Sequence, residues 1–290
     1  MYRSLLSALL LGLFPSYGGV SPDAVALQRV DVAPPSQEIH IEGRLSASGV
    51  VIYDLQSGQK VYGFDTRVQR PMASLTKLMT ALLIVEHHAL DEIVTIPKQA
   101  ADIAGNKAYL SPGQHFTVGD LLSALLINSA NDAAVTLAVY HSGSIPAFAM
   151  EMNARALQLG MTGTSFRNPS GLDDPAHWST PQDIAGLTMF ALRDPEIASR
   201  LSSAGRQISS QEGETIRLYH THAMMHESTS VAGGKTGTTT EAGQCLMSLV
   251  KEGEQQYVVV LLDSNQRYKD MLMILDALGS KSASVAVRDR

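Results

Sequence analysis

Apolar residues recur along this chain with two periods. Within residues 70–85, Leu75, Leu78, Met79, Leu82 and Leu83 fall at i, i+3, i+4, i+7 and i+8, which is helical spacing. Ala81, Ile84 and Val85 cover much of the remaining circumference, so the pattern predicts a helix buried on most sides, ending near His87-His88. Pro71 suits its entry, where a missing N–H costs nothing. Before it, residues 50–55 and 60–64 are short strand-like runs joined by a turn at 56–59, which reads as a hairpin. Residues 90–120 hold short elements and turns. Helices follow from Thr117 to about Ile127, after the stretch 129–132, and over about 145–159. Residues 169–175 form a loop. Thr180 as N-cap and Pro181 at the first helical position open another helix. Strand-like runs return at 216–219, 234–239, 244–250 and 257–262, and a last helix covers about 268–278. Strands, a block of helices, strands and a helix predict an α+β domain whose sheet is built from both chain ends beside a helical region.

The first 46 residues do not join this pattern. Arg3 provides a positive start, residues 5–14 an apolar run too short for a comfortable membrane span, and Ala24-Val25-Ala26 a small-x-small cleavage site. Residues 1–26 therefore read as a secretory signal peptide, with an uncleaved N-terminal anchor as the alternative. Residues 27–46 are polar, include Pro34-Pro35, and read as a linker or loosely attached lead-in. The catalytic domain is placed at 47–280, with a polar tail at 281–290.

Composition narrows the class. The 290 residues are 44% hydrophobic and 17% charged, enough for a full core. A formal net charge of -6 argues against a nucleic-acid partner held through phosphates. The only cysteine, Cys245, excludes an intramolecular disulfide framework, and export without disulfides fits a bacterial envelope protein, periplasmic or cell-envelope. Cys245 reads as a small buried hydrophobe.

Candidate chemistry then appears at three places. Ser74 and Lys77 are three residues apart on one face of a mostly apolar helix. Burying a charged lysine there is costly, and a depressed pKa leaves an amine able to take the serine proton. Ser129-Ala130-Asn131 follows 55 residues later, in the turn between two helices, and Lys235-Thr236-Gly237 another 106 later, entering a strand. Each is common alone. In this order and these contexts they match the Ser-x-x-Lys, Ser-x-Asn and Lys-Thr-Gly set of penicillin-recognising serine enzymes. In that chemistry Ser74 attacks a carbonyl and Lys77, its pKa lowered by burial and by the Lys235 cation, is the base. Ser129 relays a proton to the leaving amine, and Asn131 holds Lys77 or a substrate amide. Lys235, Thr236, Gly237 and Thr238 form the substrate strand, offering a cation and two hydroxyls to a terminal carboxylate and an edge for an extended peptide. The backbone N–H groups of Ser74 and Thr238 would make the oxyanion hole.

Over residues 45–280 the chain resembles the D-alanyl-D-alanine carboxypeptidase family of low-molecular-mass penicillin-binding proteins. Arg70-Pro71-Met72-Ala73 before the serine, Asn168-Pro169-Ser170-Gly171-Leu172-Asp173 in the loop, and the run from Lys235-Thr236-Gly237-Thr238-Thr239 to Ala242-Gly243-Gln244-Cys245-Leu246 carry the likeness beyond the three motifs. The resemblance implies a β-lactamase/transpeptidase-like fold with an antiparallel sheet. It also implies acyl-enzyme chemistry on D-Ala-D-Ala termini or cross-links of peptidoglycan stem peptides, and covalent capture by β-lactams. It calls for no cofactor.

Two departures stand out. Many members carry a second β-rich domain and a C-terminal amphipathic membrane helix, whereas this chain stops soon after the catalytic part, without a C-terminal membrane anchor. In that respect it is similar to the short DD-endopeptidase branch. Members also often have Asn-x-Asn before Lys-Thr-Gly, where this chain has His220-Thr221-His222.

Three rival readings carry less. A class A β-lactamase needs a glutamate in the loop after Ser129, and residues 166–171 contain none. His220, His222 and His226 could reach a zinc ion, but no His-Glu-x-x-His pattern accompanies them, so no metal is expected. His87-His88 closes a helix, where it suits the macrodipole. A non-catalytic peptidoglycan binder would have no need for a buried Ser–Lys pair.

Overall fold

The computed structural model describes residues 38–288, in which strands from the two parts of the chain meet in one sheet. The residues read as a signal peptide, and the linker as far as residue 37, lie outside the described residues. In chain order the elements are β1 (Gly49–Asp54), β2 (Lys60–Phe64), a 3-10 turn (Ala73–Thr76), α1 (Lys77–His87), β3 (Ile93–Thr95), α2 (Lys98–Ala101), β4 (His115–Thr117), α3 (Val118–Leu126), α4 (Asn131–Ser142) and α5 (Ile145–Gln158). Then come α6 (Pro181–Ala191), α7 (Pro195–Leu201), β5 (Gly205–Ser209), β6 (Thr215–Tyr219), a second 3-10 turn (Ala223–His226), β7 (Val231–Thr239), β8 (Gly243–Glu252), β9 (Gln255–Ser264) and α8 (Arg267–Arg288).

The main sheet has the order β2-β1-β9-β8-β7 and every neighbouring pair is antiparallel. The N-terminal hairpin therefore docks on the C-terminal meander through β1 and β9, with Val51 opposite Val260 and Ile52 opposite Val259. The sheet is covered on both faces, as the period-2 pattern of β9 requires. Val258, Val260 and Leu262 pack into the core shared with α1, α3, α4 and α6, whereas Tyr257, Val259 and Leu261 pack with Met271, Ile274 and Leu278 of α8 on the other side. This places α1 inside the molecule. Leu78, Met79, Ala81, Leu82, Leu83 and Ile84 are all buried, each large side chain contributing on the order of 1.5–3 kcal/mol.

The α+β fold class and the sheet built from both chain ends are as the pattern predicts. Several elements differ. The helix expected to contain Ser74 opens with a 3-10 turn that runs into α1, and Ala73, just before the serine, has φ +47°, a left-handed conformation that a regular α-helix cannot contain. Ser74 thus sits in a 3-10 turn and α1 proper begins at Lys77. The run at 216–219 is strand β6, but the hairpin β3–β4, the strand β5 that pairs with β6, and the helix α7 are not predicted by the apolar pattern. Strand β7 starts at Val231 rather than at residue 234. Helix α8 runs to Arg288, so the segment expected as a polar tail is helical up to that residue.

The end of the expected linker is also better attached than its polarity suggests. Ile39 and Ile41 are buried in the α8 side of the core, and the Ile39 N–H donates to Val61 O at 3.0 Å. Asp270 in the first turn of α8 accepts from the N–H groups of Ser46 and Ala47 and from the hydroxyls of Ser46 and Ser264. Among the described residues no single helix is long and apolar enough to cross a membrane.

Candidate active site

The site forms where the edge strand β7 passes the 3-10 turn that holds Ser74. Two glycines permit this approach. A Cβ on Gly237 would lie 2.9 Å from both Ala73 Cβ and Ser74 N. One on Gly171, whose φ is +84°, would lie 1.9 Å from Ala73 O. The serine turn is therefore clamped between a strand and a loop by backbone contact on both sides, which holds Ala73 in its strained conformation. Gly171→Ala should lose both the turn and the activity. The left-handed backbone alone costs about 1–3 kcal/mol, and the clash adds to it. A fall in melting temperature together with lost penicillin labelling is the expected result; an active, equally stable variant would show that the clamp is not needed.

Lys77 occupies the first position of α1 and is fully buried. Its Nζ lies 2.9 Å from Ser74 Oγ, 2.7 Å from Asn131 Oδ1 and 2.7 Å from Ser170 O. The last two groups are pure acceptors. Asn131 Nδ2 donates to Ala104 O at 2.7 Å, which fixes the amide so that its oxygen faces Lys77. A neutral amine has two N–H bonds and one lone pair. Directing the N–H bonds at Asn131 and Ser170 aims the lone pair at the serine hydroxyl. Burial holds the Lys77 pKa well below its ordinary value, and the Lys235 cation lowers it further, while Asp132 opposes them.

The Ser170 carbonyl was not among the predicted site residues. Asn168 shapes its loop: Asn168 Oδ1 accepts from the N–H groups of Ser170, Gly171 and Leu172. Thr80 Oγ1 ties the loop to α1 by donating to Pro169 O at 2.7 Å. The quoted Asn168–Asp173 match contained this signal, but nothing in its spacing names a main-chain acceptor.

Ser129 lies in the α3–α4 connection with φ +62°, a second strained non-glycine residue at the site. Its Oγ accepts from Lys235 Nζ at 2.6 Å. Lys235 is fully buried and also donates to Thr236 O. Burial lowers its pKa to about 7, with Arg267 contributing. Ser74, Lys77, Ser129 and Asn131 thus face Lys235 and Thr236 across one cleft, as the three motifs require.

The Thr238 end of the strand meets a second residue absent from the sequence-based expectation. Arg267 begins α8, and its Nη1 donates to Thr238 Oγ1 at 2.8 Å and to Gly237 O at 3.0 Å. A cation at a helix N-terminus is disfavoured by the helix dipole, so its place there needs a reason. The reason visible in the fold is the site: only the order β9-β8-β7 brings the start of α8 beside Thr238, and no local motif announces it. A cavity of about 660 Å³ opens one residue from Ser74, bounded by Ala73, Gly171, Asp173, Trp178 and Glu241. It lies past the Thr239 end of β7, where Glu241 follows the strand.

The three histidines considered for zinc do not converge. His220 and His222 lie past the end of β6, so they do not share a strand face. His220 Nδ1 accepts from the His222 N–H, His222 Nε2 pairs with Ser248 Oγ, and His226 Nε2 pairs with His220 O. Among the described residues no group of three metal-ligating side chains has suitable geometry. His87 and His88 meet His141 at the far end of α1, away from the cleft.

Comparison with known proteins agrees with this geometry. The profile of the D-alanyl-D-alanine carboxypeptidase family matches residues 34–266. The chain is 31% identical over 270 residues to the D-alanyl-D-alanine carboxypeptidase DacF of Bacillus subtilis, covering 91% of this chain and 67% of that one. It is 28% identical over 253 residues to a D-alanyl-D-alanine endopeptidase of Escherichia coli, covering 86% and 79%. Among solved structures, penicillin-binding protein D2 of Listeria monocytogenes in its ampicillin-bound form superimposes with a TM-score of 0.70 at 30% identity, over 80% of this chain and 97% of that one. With its motifs gathered in one cleft and its family profile matched over most of its length, this chain belongs to the D-alanyl-D-alanine carboxypeptidase family.

Proposed function

We propose that this protein is a serine DD-peptidase that hydrolyses D-Ala-D-Ala bonds of peptidoglycan stem peptides through a Ser74 acyl-enzyme, and that β-lactams are captured at the same serine. The observation that carries the residue roles is the Lys77 amine, held by two acceptor-only groups with its third direction on Ser74 Oγ. Ser74 passes its proton to Lys77 as Oγ adds to the penultimate D-Ala carbonyl. The negative charge on that oxygen falls to the N–H groups of Ser74 and Thr238. The proton taken up by Lys77 is relayed through Ser129, which is hydrogen-bonded to Lys235: Ser129 gives its own proton to the departing amine of the terminal D-Ala and takes the one from Lys77 in its place. Water then attacks the ester, with the proton path reversed, and Ser74 is restored.

The carboxylate of the leaving residue is held by Lys235, Thr236, Thr238 and Arg267. Lys235→Ala should raise KM for a D-Ala-D-Ala peptide by tenfold or more, since a hydrogen bond to a charged group contributes about 1.5–3 kcal/mol. Unchanged kinetics would remove Lys235 from the site. The sign of the pH dependence follows. Lys235 is cationic below a pKa of about 7 and loses its charge above it, so peptide affinity should weaken as pH rises through that value. A KM independent of pH between 6 and 9 would contradict this.

Carboxypeptidase action is the main reading. Cleavage of cross-links is the second, supported by the relative named as an endopeptidase. Purified protein incubated with a monomeric pentapeptide and with a cross-linked dimer, read by mass spectrometry, separates them. Loss of one D-Ala from the pentapeptide marks a carboxypeptidase, and dimers falling to monomers mark an endopeptidase. Rapid penicillin turnover with no product from either would overturn the reading. The site lies in an exported protein of the periplasm or cell envelope in this reading, with residues 1–26 as the leader.

A further inference from the structure

The turn His220-Thr221-His222 stands behind the substrate strand, and no step above uses it. We propose that Thr221 is a positioning residue whose hydroxyl orients that of Thr236 toward the substrate carboxylate. The inference rests on the DD-peptidase reading, which supplies that carboxylate.

Thr221 Oγ1 lies 2.6 Å from Thr236 Oγ1, and either can donate in the free protein. A carboxylate only accepts, so when it binds, Thr236 must turn its single proton toward it. Thr221 then has to be the donor to Thr236. The two hydroxyls form a one-way chain, and each bond strengthens the next by polarisation.

The backbone of the turn is built to hold Thr221 still. The Thr221 N–H donates to Ile127 O at 3.1 Å, on the segment leading to Ser129. The His220 N–H donates to Ala204 O at 2.9 Å, and the His222 N–H to His220 Nδ1 at 3.0 Å. Tyr268 of α8 donates its hydroxyl to Thr221 O at 3.4 Å and accepts from the Ala223 N–H at 2.9 Å. Thr221 is thereby fixed to the Ser129 side of the cleft and to the helix that carries Arg267. The histidines serve this role in neutral form. His220 Nδ1 can accept only when unprotonated, and burial beside the Lys235 cation lowers its pKa to about 4. His222, also buried, is lowered to about 3. Neither ring then competes with Lys235 for the carboxylate.

The test compares the full protein with its Thr221→Val and Thr221→Ser variants. The substrates are a D-Ala-D-Ala peptide with a free C-terminal carboxylate and the same peptide with its terminal D-Ala replaced by an ethylamide, which has no carboxyl group for Thr236 to reach. For the free acid, the valine variant should show KM raised about three- to tenfold, the scale of one neutral hydrogen bond, with kcat within twofold. On the amide it should match the unsubstituted protein in kcat/KM, and Thr221→Ser should restore the acid KM to within twofold. An unchanged KM, an equal loss on both peptides, or a serine variant no better than valine would overturn the role of Thr221. Unsubstituted protein that neither cleaves the acid nor takes up penicillin would overturn the DD-peptidase reading and this inference with it, and would do so before any substitution is made.

Discussion

Replacing Ser74 with alanine should abolish covalent labelling by penicillin while leaving the fold in place. The hydroxyl is the only oxygen that Lys77 Nζ approaches at 2.9 Å that can also form an ester; Asn131 Oδ1 and Ser170 O are carbonyl oxygens. With it removed, the oxyanion donors and the carboxylate-binding strand remain, so a β-lactam can still dock without reacting. Acylation should fall by about six orders of magnitude, the scale seen when the nucleophile of a serine hydrolase unit is deleted. The structural cost is small. Lys77 keeps two partners, and the turn is held by Gly171, Gly237 and a hydrogen bond from Thr76 Oγ1 to Ala73 O rather than by the serine. Intact-protein mass spectrometry after penicillin treatment reads the adduct, and thermal melting reads the fold. Undiminished labelling of a folded variant would place the nucleophile on another residue.

What the sequence made legible was whatever follows from periodicity or from a spaced motif. Helix α1 announced itself through Leu75, Leu78, Met79, Leu82 and Leu83, and the sheet through runs such as residues 257–262, whose two faces are both buried. The motif residues come together because two lie just before a helix, Ser74 before α1 and Ser129 before α4, and the third, Lys235, lies in the middle of the edge strand β7 that passes them. The missed parts depend on contacts between distant segments. Nothing about an alanine forecasts φ +47° at Ala73; Gly171 and Gly237, 98 and 164 residues later, impose it by closing on the serine turn. Arg267 reads as an ordinary surface cation until the strand order places it against Thr238. Strand β5, the partner of β6, hides for a different reason. Of the five residues in β5 only Ile208 is buried, so it lacks the apolar alternation that would betray a strand.

Replacing Lys77 with alanine should slow acylation of Ser74 by about two to four orders of magnitude, the contribution of a positioned general base. A general base must be the neutral one of the two lysines. Both are fully buried and both have lowered pKa values, but their partners differ. Lys77 faces two fixed carbonyl acceptors and a hydroxyl that can donate to it, a set that an amine with one lone pair satisfies completely. Lys235 faces Ser129 Oγ and Thr236 O, and a bound substrate would add a carboxylate, a set that favours the cation. Protonation is thus divided between base and anchor by the groups around each amine. In the Lys77→Ala variant Ser74 keeps its place but loses its proton acceptor, so penicillin should still label it slowly, unlike Ser74→Ala. The base role also fixes a sign. Acylation by the unsubstituted protein should fall as pH drops through the pKa of Lys77, because the lone pair is taken up by a proton, and the residual rate of the variant should lack that fall. Rapid stopped-flow measurement of acylation across pH distinguishes the cases. A variant acylated at the full rate, or one retaining the acid limb, would transfer the proton-accepting role to another group.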